Sequence, residues 1–391
     1  MNNIEAALRR LENDAGVCAE NRKLAADFAQ SQLAKGLSRV RIVKCVYCMR
    51  YLAKWLGKPF SEASKQDLVV LVSGLEGMEY SENSKYDFKI VLKMFFRWLK
   101  GDGDTYPPEV AWLKPRLKNK AHKLPEELLS EEDVLNLARA ATNPRDRAFV
   151  LILYESGCRI GELISLKVKN VQFDQYGAVL RVTGKTGDRR VRIISSAPAL
   201  TAWLDAYPRA IEPNAPLWPP RMAYHAQRGV AAEYRSIYVM LRTLAKRAGI
   251  RKNVFPHLFR HSRATFLASK MTEAQMKEYF GWTQSSNMAA TYVHLSGRDV
   301  DSTLLQMHAM ADAPKTQETI LTVHICSRCH EKNSPSQAYC GRCGNPFDAS
   351  KLIVEQNRPS NDVMDELYKD PEVKEFLDRK SKALKFAAQL V

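Results

Sequence analysis

No stretch of the sequence approaches the roughly 20 consecutive apolar residues that span a bilayer, so no membrane-crossing segment is expected. The first residues, MNNIEAALRRLEND, lack the apolar core of a secretory signal, and the expected location is the cytoplasm. Negative charge is in short supply. Lys and Arg number 59 against 43 Asp and Glu, a formal net charge of +16, with a pI near 9.4. That imbalance favours a polyanionic partner, because each phosphate met by a cation releases counterions. Cysteine is sparse too: eight in 391 residues, which in a reducing compartment is no disulfide framework. What the chain does have is hydrophobic residues, 45% of the total, enough for two or three domains with cores of their own.

Helical periodicity dominates the first third. Ile4, Leu8 and Leu11 share one face of a short helix, a second runs from about Ala19 to Lys35, and Gly36 stops it. Ser38 to Leu56 is apolar with basic residues interleaved and ends at Gly57-Lys58-Pro59. Ser64 caps a helix carrying Leu68, Leu71 and Val72. Ser81 or Ser84 precedes one carrying Phe88, Leu92, Phe95 and Leu99. Residues 1–113 therefore read as an all-α domain whose outward cations suit phosphate contacts better than base reading. Cys45 and Cys48 have no second pair nearby and read as buried helix cysteines. The segment 114–128, with KPRLKNKAHK at its start, reads as a basic linker.

Residues 129–312 read as a second domain, opening with Ser130 as a helix cap and Asp133 at the capping-box position. A buried helix from Arg147 to Glu155 leads to Ser156-Gly157-Cys158-Arg159-Ile160-Gly161-Glu162-Leu163. Alternation at 171–173, 178–182 and 191–194, with the turn Gly184–Asp188, predicts a three-stranded antiparallel sheet. Helices resume at Ala231 to Ala248 and after Pro256. The last carries His257-x-x-Arg260, followed by Phe280-Gly281-Trp282 and Tyr292.

Arg159, Lys185, His257, Arg260, Trp282 and Tyr292, in this order, resemble the tyrosine recombinase (phage-integrase) family over roughly residues 20–300. The resemblance implies a mainly α fold with a small antiparallel sheet (α+β), an all-helical core-binding domain that grips DNA, and a catalytic domain. It also implies site-specific cutting and rejoining of DNA through a 3′-phosphotyrosine, with strand exchange in a tetramer. Arg159 and Arg260 match the two phosphate-binding arginines, suited to that task because a guanidinium fork grips two oxygens at once. His257 matches the acid/base histidine. His261, one residue past Arg260, reads as a decoy pointing about 100° away from it. Lys185 matches the general-acid lysine, with Lys167 and Lys169 as alternatives that precede the sheet. Trp282 falls where the family has histidine or tryptophan, and it can donate a hydrogen bond but cannot shuttle a proton. Tyr292 is the expected nucleophile, one residue further along than the usual family interval. Glu162 reads as a partner that orients Arg159, and Tyr279 as a packed residue. No metal is expected in the chemistry. An integrase role is favoured over Xer-type dimer resolution, which would not need the C-terminal additions. A type IB topoisomerase and a catalytically silent DNA-binding protein are the further alternatives.

Those additions are a module at 323–347 and a tail at 348–391. Cys326-x-x-Cys329 and Cys340-x-x-Cys343 offer four thiolates, the donor set of a structural Zn²⁺, and the module resembles a zinc ribbon. His324 and His330 are not needed as ligands once four thiolates close the site. The tail carries Val373, Phe376, Leu377 and Leu384 in a helical stripe, which needs a surface to cover. Exchange of this tail with a neighbouring protomer on DNA is the favoured reading.

Overall fold

The computed structural model describes residues 4–101, 105–117, 125–184, 187–221, 229–295, 308 and 319–348. The tail expected at 348–391 lies outside the described residues apart from its first, as do 118–124 of the expected linker. The chain divides into two compact units, 1–122 and 123–391.

The first unit is helical throughout its described residues, with Ile4–Glu12, Ala19–Ala34, Arg39–Leu56, Lys65–Gly77, Glu82–Lys100 and the single turn Pro108–Ala111. Local chemistry sets its helix ends. Ser64 and Asp67 form a reciprocal capping box, and Ser81 rather than Ser84 caps the next helix by accepting from the Ser84 amide. Gly57, with φ 71, ends the long third helix in the left-handed conformation. The apolar faces meet in a core of Phe28, Phe60, Leu92, Phe95 and Phe96. Cys45 and Cys48 are buried in that core, and burial pushes the Cys48 thiol up to about 12. A metal ligand must be a thiolate, so this is the wrong environment for one.

The second unit is built around the helix Pro144–Ser156. Asn143 caps it by accepting from the Asp146 amide at 2.8 Å, and Pro144 occupies its first turn. From Ala148 to Ser156 every residue is buried, which explains an apolar run with no polar face. Helices Glu131–Arg139, Ala197–Ala206 and Pro256–Ala268 pack on it, together with the third strand of the sheet. That sheet comprises β1 (Val171–Asp174), β2 (Gly177–Gly184) and β3 (Gly187–Ile193), antiparallel in the order β1-β2-β3. β3 begins four residues earlier than its apolar alternation, because the pairing with β2 extends to Gly184 and Gly187. The helix Ala197–Ala206 has Ser196 before it and Pro198 in its first turn, but Ser196 makes no side-chain cap. It is placed instead by the buried Glu155, whose carboxylate accepts from the amides of Ile194, Ser195 and Ser196 at 2.7–3.0 Å. No helix among the described residues is long and apolar enough to cross a membrane.

Near its C-terminal end the same unit carries the cysteine module. Strands His324–Ile325 and Lys332–Asn333 pair antiparallel, with the first Cys-x-x-Cys turn between them and the second after them. The Lys332 ammonium donates to the Gln175 carbonyl at the β1–β2 turn, 2.8 Å away, fastening the module to the sheet.

Candidate active site

The site is assembled where the buried helix Pro144–Ser156 ends. Gly157 terminates it with φ 56, and a Cβ there would lie 2.4 Å from Phe280 Cε1, so only glycine allows the chain to turn this close to Phe280. The turn delivers Arg159 to the start of the short helix Ile160–Ile164. Glu162 accepts from the Arg159 backbone amide and from its Nη1, both at 2.9 Å, while Nη2 donates to the Gly281 carbonyl at 3.1 Å. The expected orienting role of Glu162 thus corresponds to a bidentate grip on backbone and side chain together.

Arg260 comes from the helix Pro256–Ala268 and is only 3% exposed. Its Nη1 donates to the Gly157 carbonyl at 2.8 Å and its Nη2 to the Phe280 carbonyl at 2.7 Å. Its Cζ lies 5.1 Å from the Phe280 ring centroid and 5.5 Å from that of Trp282. Burial, reinforced by the charge of Arg159, holds the Arg260 pKa down at about 10. A third guanidinium, Arg189 of β3, was not singled out in the sequence. It donates from Nη2 to Glu162 at 2.7 Å and from Nε to the Tyr279 carbonyl at 3.2 Å, while its Nη1 is buried without a partner. Two of the three guanidiniums, Arg159 and Arg189, therefore share the Glu162 carboxylate, while Arg260 is held by carbonyls. The surplus of positive charge in a largely buried setting is a receptor for an anion.

Trp282 stacks on Phe280, with centroids 4.9 Å apart, and Tyr292 lies parallel to Trp282 at 5.6 Å and 2°. Tyr292 is 4% exposed. Burial pushes its hydroxyl up to about 12, against the pull of the nearby Arg260 charge. Its oxygen is 2.5 Å from Nδ1 of His261. The helical wheel places His261 on a second neighbour. His261 does point away from Arg260, but it lies four residues after His257 and so shares that residue's face. The two rings meet edge-to-face at 4.6 Å, with His261 inside against Tyr292 and His257 exposed. Tyr279 is packed as expected, its hydroxyl donating to the Glu155 carbonyl oxygen.

Lys185 lies outside the described residues. The base of its hairpin does adjoin the site, since a Cβ on Gly184 would fall 2.5 Å from Glu162 Oε1. Lys167 and Lys169 are exposed at the turn before β1.

Residues 127–298 match the model of the phage integrase family. The chain carries a phage integrase domain and is a tyrosine recombinase. This recombinase is 26% identical over 278 residues to the tyrosine recombinase XerA of Pyrococcus horikoshii, covering 70% of this chain and 89% of that protein. It is 29% identical over 241 residues to XerD of Pseudomonas putida, covering 59% and 76%. Among solved structures, the Tn1549 transposon integrase in complex with a circular intermediate DNA superposes with a TM-score of 0.57 at 17% identity, over 74% of this chain and 99% of that one. A lambda integrase dimer bound to a core site gives 0.55 at 17%, over 71% and 78%, a likeness of fold. The enzyme is accordingly a site-specific recombinase.

The four cysteine sulfurs of the module all lie within 4.8 Å of one another. Cys326–Cys343 and Cys329–Cys340 are each separated by 3.5 Å. A tetrahedral ion with metal–sulfur bonds of about 2.3 Å has edges of about 3.8 Å, so the donor set fits a metal ion. The Cys329 backbone amide, directed at the Cys326 sulfur, helps hold that thiol below its ordinary pKa. Neither His324, whose ring packs on Phe347 at 4.9 Å, nor His330 is among the four candidate ligands.

Proposed function

We propose that Tyr292 is the nucleophile that attacks a DNA phosphate and holds the 3′ end as a phosphotyrosine. The observation that carries this reading is the guanidinium trio beside Glu162, in which Arg159 and Arg189 share the one carboxylate and Arg260 is held by two carbonyls, leaving net positive charge. Arg159 and Arg260 grip the non-bridging oxygens of the scissile phosphate. Their fixed carbonyl and carboxylate partners mean that they need no rearrangement as charge builds there. His257 donates to the phosphate from its exposed position, Trp282 provides the wall on which Tyr292 rests, and Lys185 protonates the leaving 5′ oxygen. Double-stranded DNA is the substrate, with residues 1–113 as the core-binding domain, 114–128 as the basic linker and 129–312 as the catalytic domain. Exchange proceeds through a Holliday junction in a homotetramer, with the tail 348–391 passing to a neighbouring protomer. We place the reaction in the cytoplasm.

The cysteine module holds one structural Zn²⁺ on Cys326, Cys329, Cys340 and Cys343. It replaces a hydrophobic core for residues that have almost none, and the ion takes no part in strand cleavage. An integrase role is the first reading, because the module and tail are additions to the recombinase core. The similarity to proteins named XerA and XerD supports dimer resolution as the second. Incubation with a nicked suicide duplex carrying the native site tests the chemistry. A covalent protein–DNA band is expected in the wild type and absent in Tyr292→Phe, while an adduct that persists in Tyr292→Phe would refute the assignment.

A further inference from the structure

A tyrosine that attacks phosphorus must lose its proton, and the surroundings of Tyr292 make that loss costly. The ring is buried between Trp282 and the helix Pro256–Ala268, and its hydroxyl, pushed up to about 12, is fully protonated at neutral pH. Arg260 eases the charge that develops, but a guanidinium offers only donors and has no site for a proton. Lys185, in its proposed role, starts protonated and gives its proton to the other end of the reaction. Among the described residues, Nδ1 of the half-buried His261 lies 2.5 Å from the reacting oxygen, where a ring protonated at Nε2 can accept its hydrogen.

We propose that His261, rather than His257, is the base that takes the Tyr292 proton during strand cleavage and returns it during rejoining. This rests on the reading of Tyr292 as the nucleophile. Neutral His261, protonated at Nε2, accepts the phenolic hydrogen at Nδ1. As the proton transfers, the Oη–phosphorus bond forms and the phosphorus–O5′ bond breaks, and the 5′ oxygen takes its proton from Lys185. Rejoining reverses each transfer: imidazolium His261 reprotonates Oη as the phosphotyrosine bond breaks, and the 5′ hydroxyl gives its proton back to Lys185. His257, one helical turn earlier, packs against the His261 ring edge-to-face and limits its rotation. It is left exposed for the phosphate.

The test is single-turnover cleavage of a nicked suicide duplex by the full chain, with DNA binding followed by gel shift. His261→Ala and His261→Gln should bind DNA as the wild type does and cleave roughly 10²- to 10⁴-fold more slowly. Glutamine keeps a hydrogen-bonding group but cannot take the proton, so it should not rescue. A ring-fluorinated tyrosine at position 292, whose phenol is more acidic, should recover much of the loss in His261→Ala and little of the loss in Arg260→Ala. Wild-type cleavage by either His261 variant, or faster cleavage as if a resting clamp had been released, would overturn the proposal. So would a slow His261→Ala enzyme that fluorination fails to help. Tyr292→Phe run alongside separates the two assignments. An adduct in Tyr292→Phe overturns the nucleophile itself, whereas no adduct there together with full activity in His261→Ala overturns only the base.

Discussion

Arg260 and the four thiols of the cysteine module belong to the same unit of the chain, yet opposite means hold them in place. Arg260 sits on a helix packed against the fully buried Pro144–Ser156, and its guanidinium is pinned by carbonyls at two helix ends, Gly157 and Phe280. Its position is a product of the core. In the module, two two-residue strands and a few turns surround the cysteines, with Cys326 and Cys340 buried and Cys329 and Cys343 only partly so. There, on the proposed reading, a bound metal makes the structure rather than the reverse. A preorganised anion site needs a rigid scaffold beneath it, while a small appended module needs only one strong cross-link.

The sharpest way to break this contrast is to remove two thiolates. Cys340→Ser with Cys343→Ser should release one zinc per chain and unfold residues 323–347 locally, while cleavage of a suicide duplex survives and complete recombination falls. Zinc content by atomic absorption beside both assays reads this out. Catalytic activity that disappears together with the metal would show that the two regions are not independent.

Arg260→Ala attacks the other side of the contrast. Loss of a buried charge partner for the phosphate should slow cleavage by roughly 10²- to 10³-fold. The two carbonyls left unpaired should also lower stability by about 1–3 kcal/mol each. Single-turnover rates and thermal melting measure the two effects separately. Wild-type cleavage would mean that Arg260 is a structural clamp alone.

Glu162 sharpens the comparison through pH. Burial raises its pKa, but the hydrogen bonds from Arg189 and Arg159 outweigh burial and hold it below the ordinary 4.5. A depressed carboxylate contributes stability that is complete above its unfolded pKa and lost as pH falls through the folded one. Glu162→Gln should therefore flatten the fall in melting temperature below about pH 4.5. It should also slow cleavage by roughly 10- to 100-fold as two arginines lose a charged partner. An unchanged acid limb would show that the carboxylate does not organise the trio. The smallest effect is expected of Gly157→Ala, where the left-handed φ costs on the order of 1–3 kcal/mol and Phe280 must move. A melting temperature equal to wild type would argue against so close a packing of the turn on Phe280.

What was legible in the sequence follows the same division between local and distant causes. Ser64 with Asp67 and Ser130 with Asp133 announced their helices because a capping box is complete within four residues. The sheet was readable from alternation, and the cysteine cluster from spacing alone. Arg159 and Arg260, a hundred residues apart, were found by resemblance, since nothing local reveals that both reach Phe280-Gly281. Arg189 stayed hidden among the charges of Asp188-Arg189-Arg190, and only the strand pairing turns it inward. The contact of His261 with Tyr292 was not foreseen, because His261 was compared with Arg260 rather than with His257, its neighbour one turn back.

The central claim is that Tyr292 carries the DNA. Trapping the covalent complex on a nicked duplex, digesting both partners and mapping the nucleotide remnant by mass spectrometry tests it most directly. The remnant should lie on the peptide containing Tyr292, on that tyrosine alone. A remnant on Tyr279 or any other residue, or strand cleavage with no remnant at all, would contradict the account.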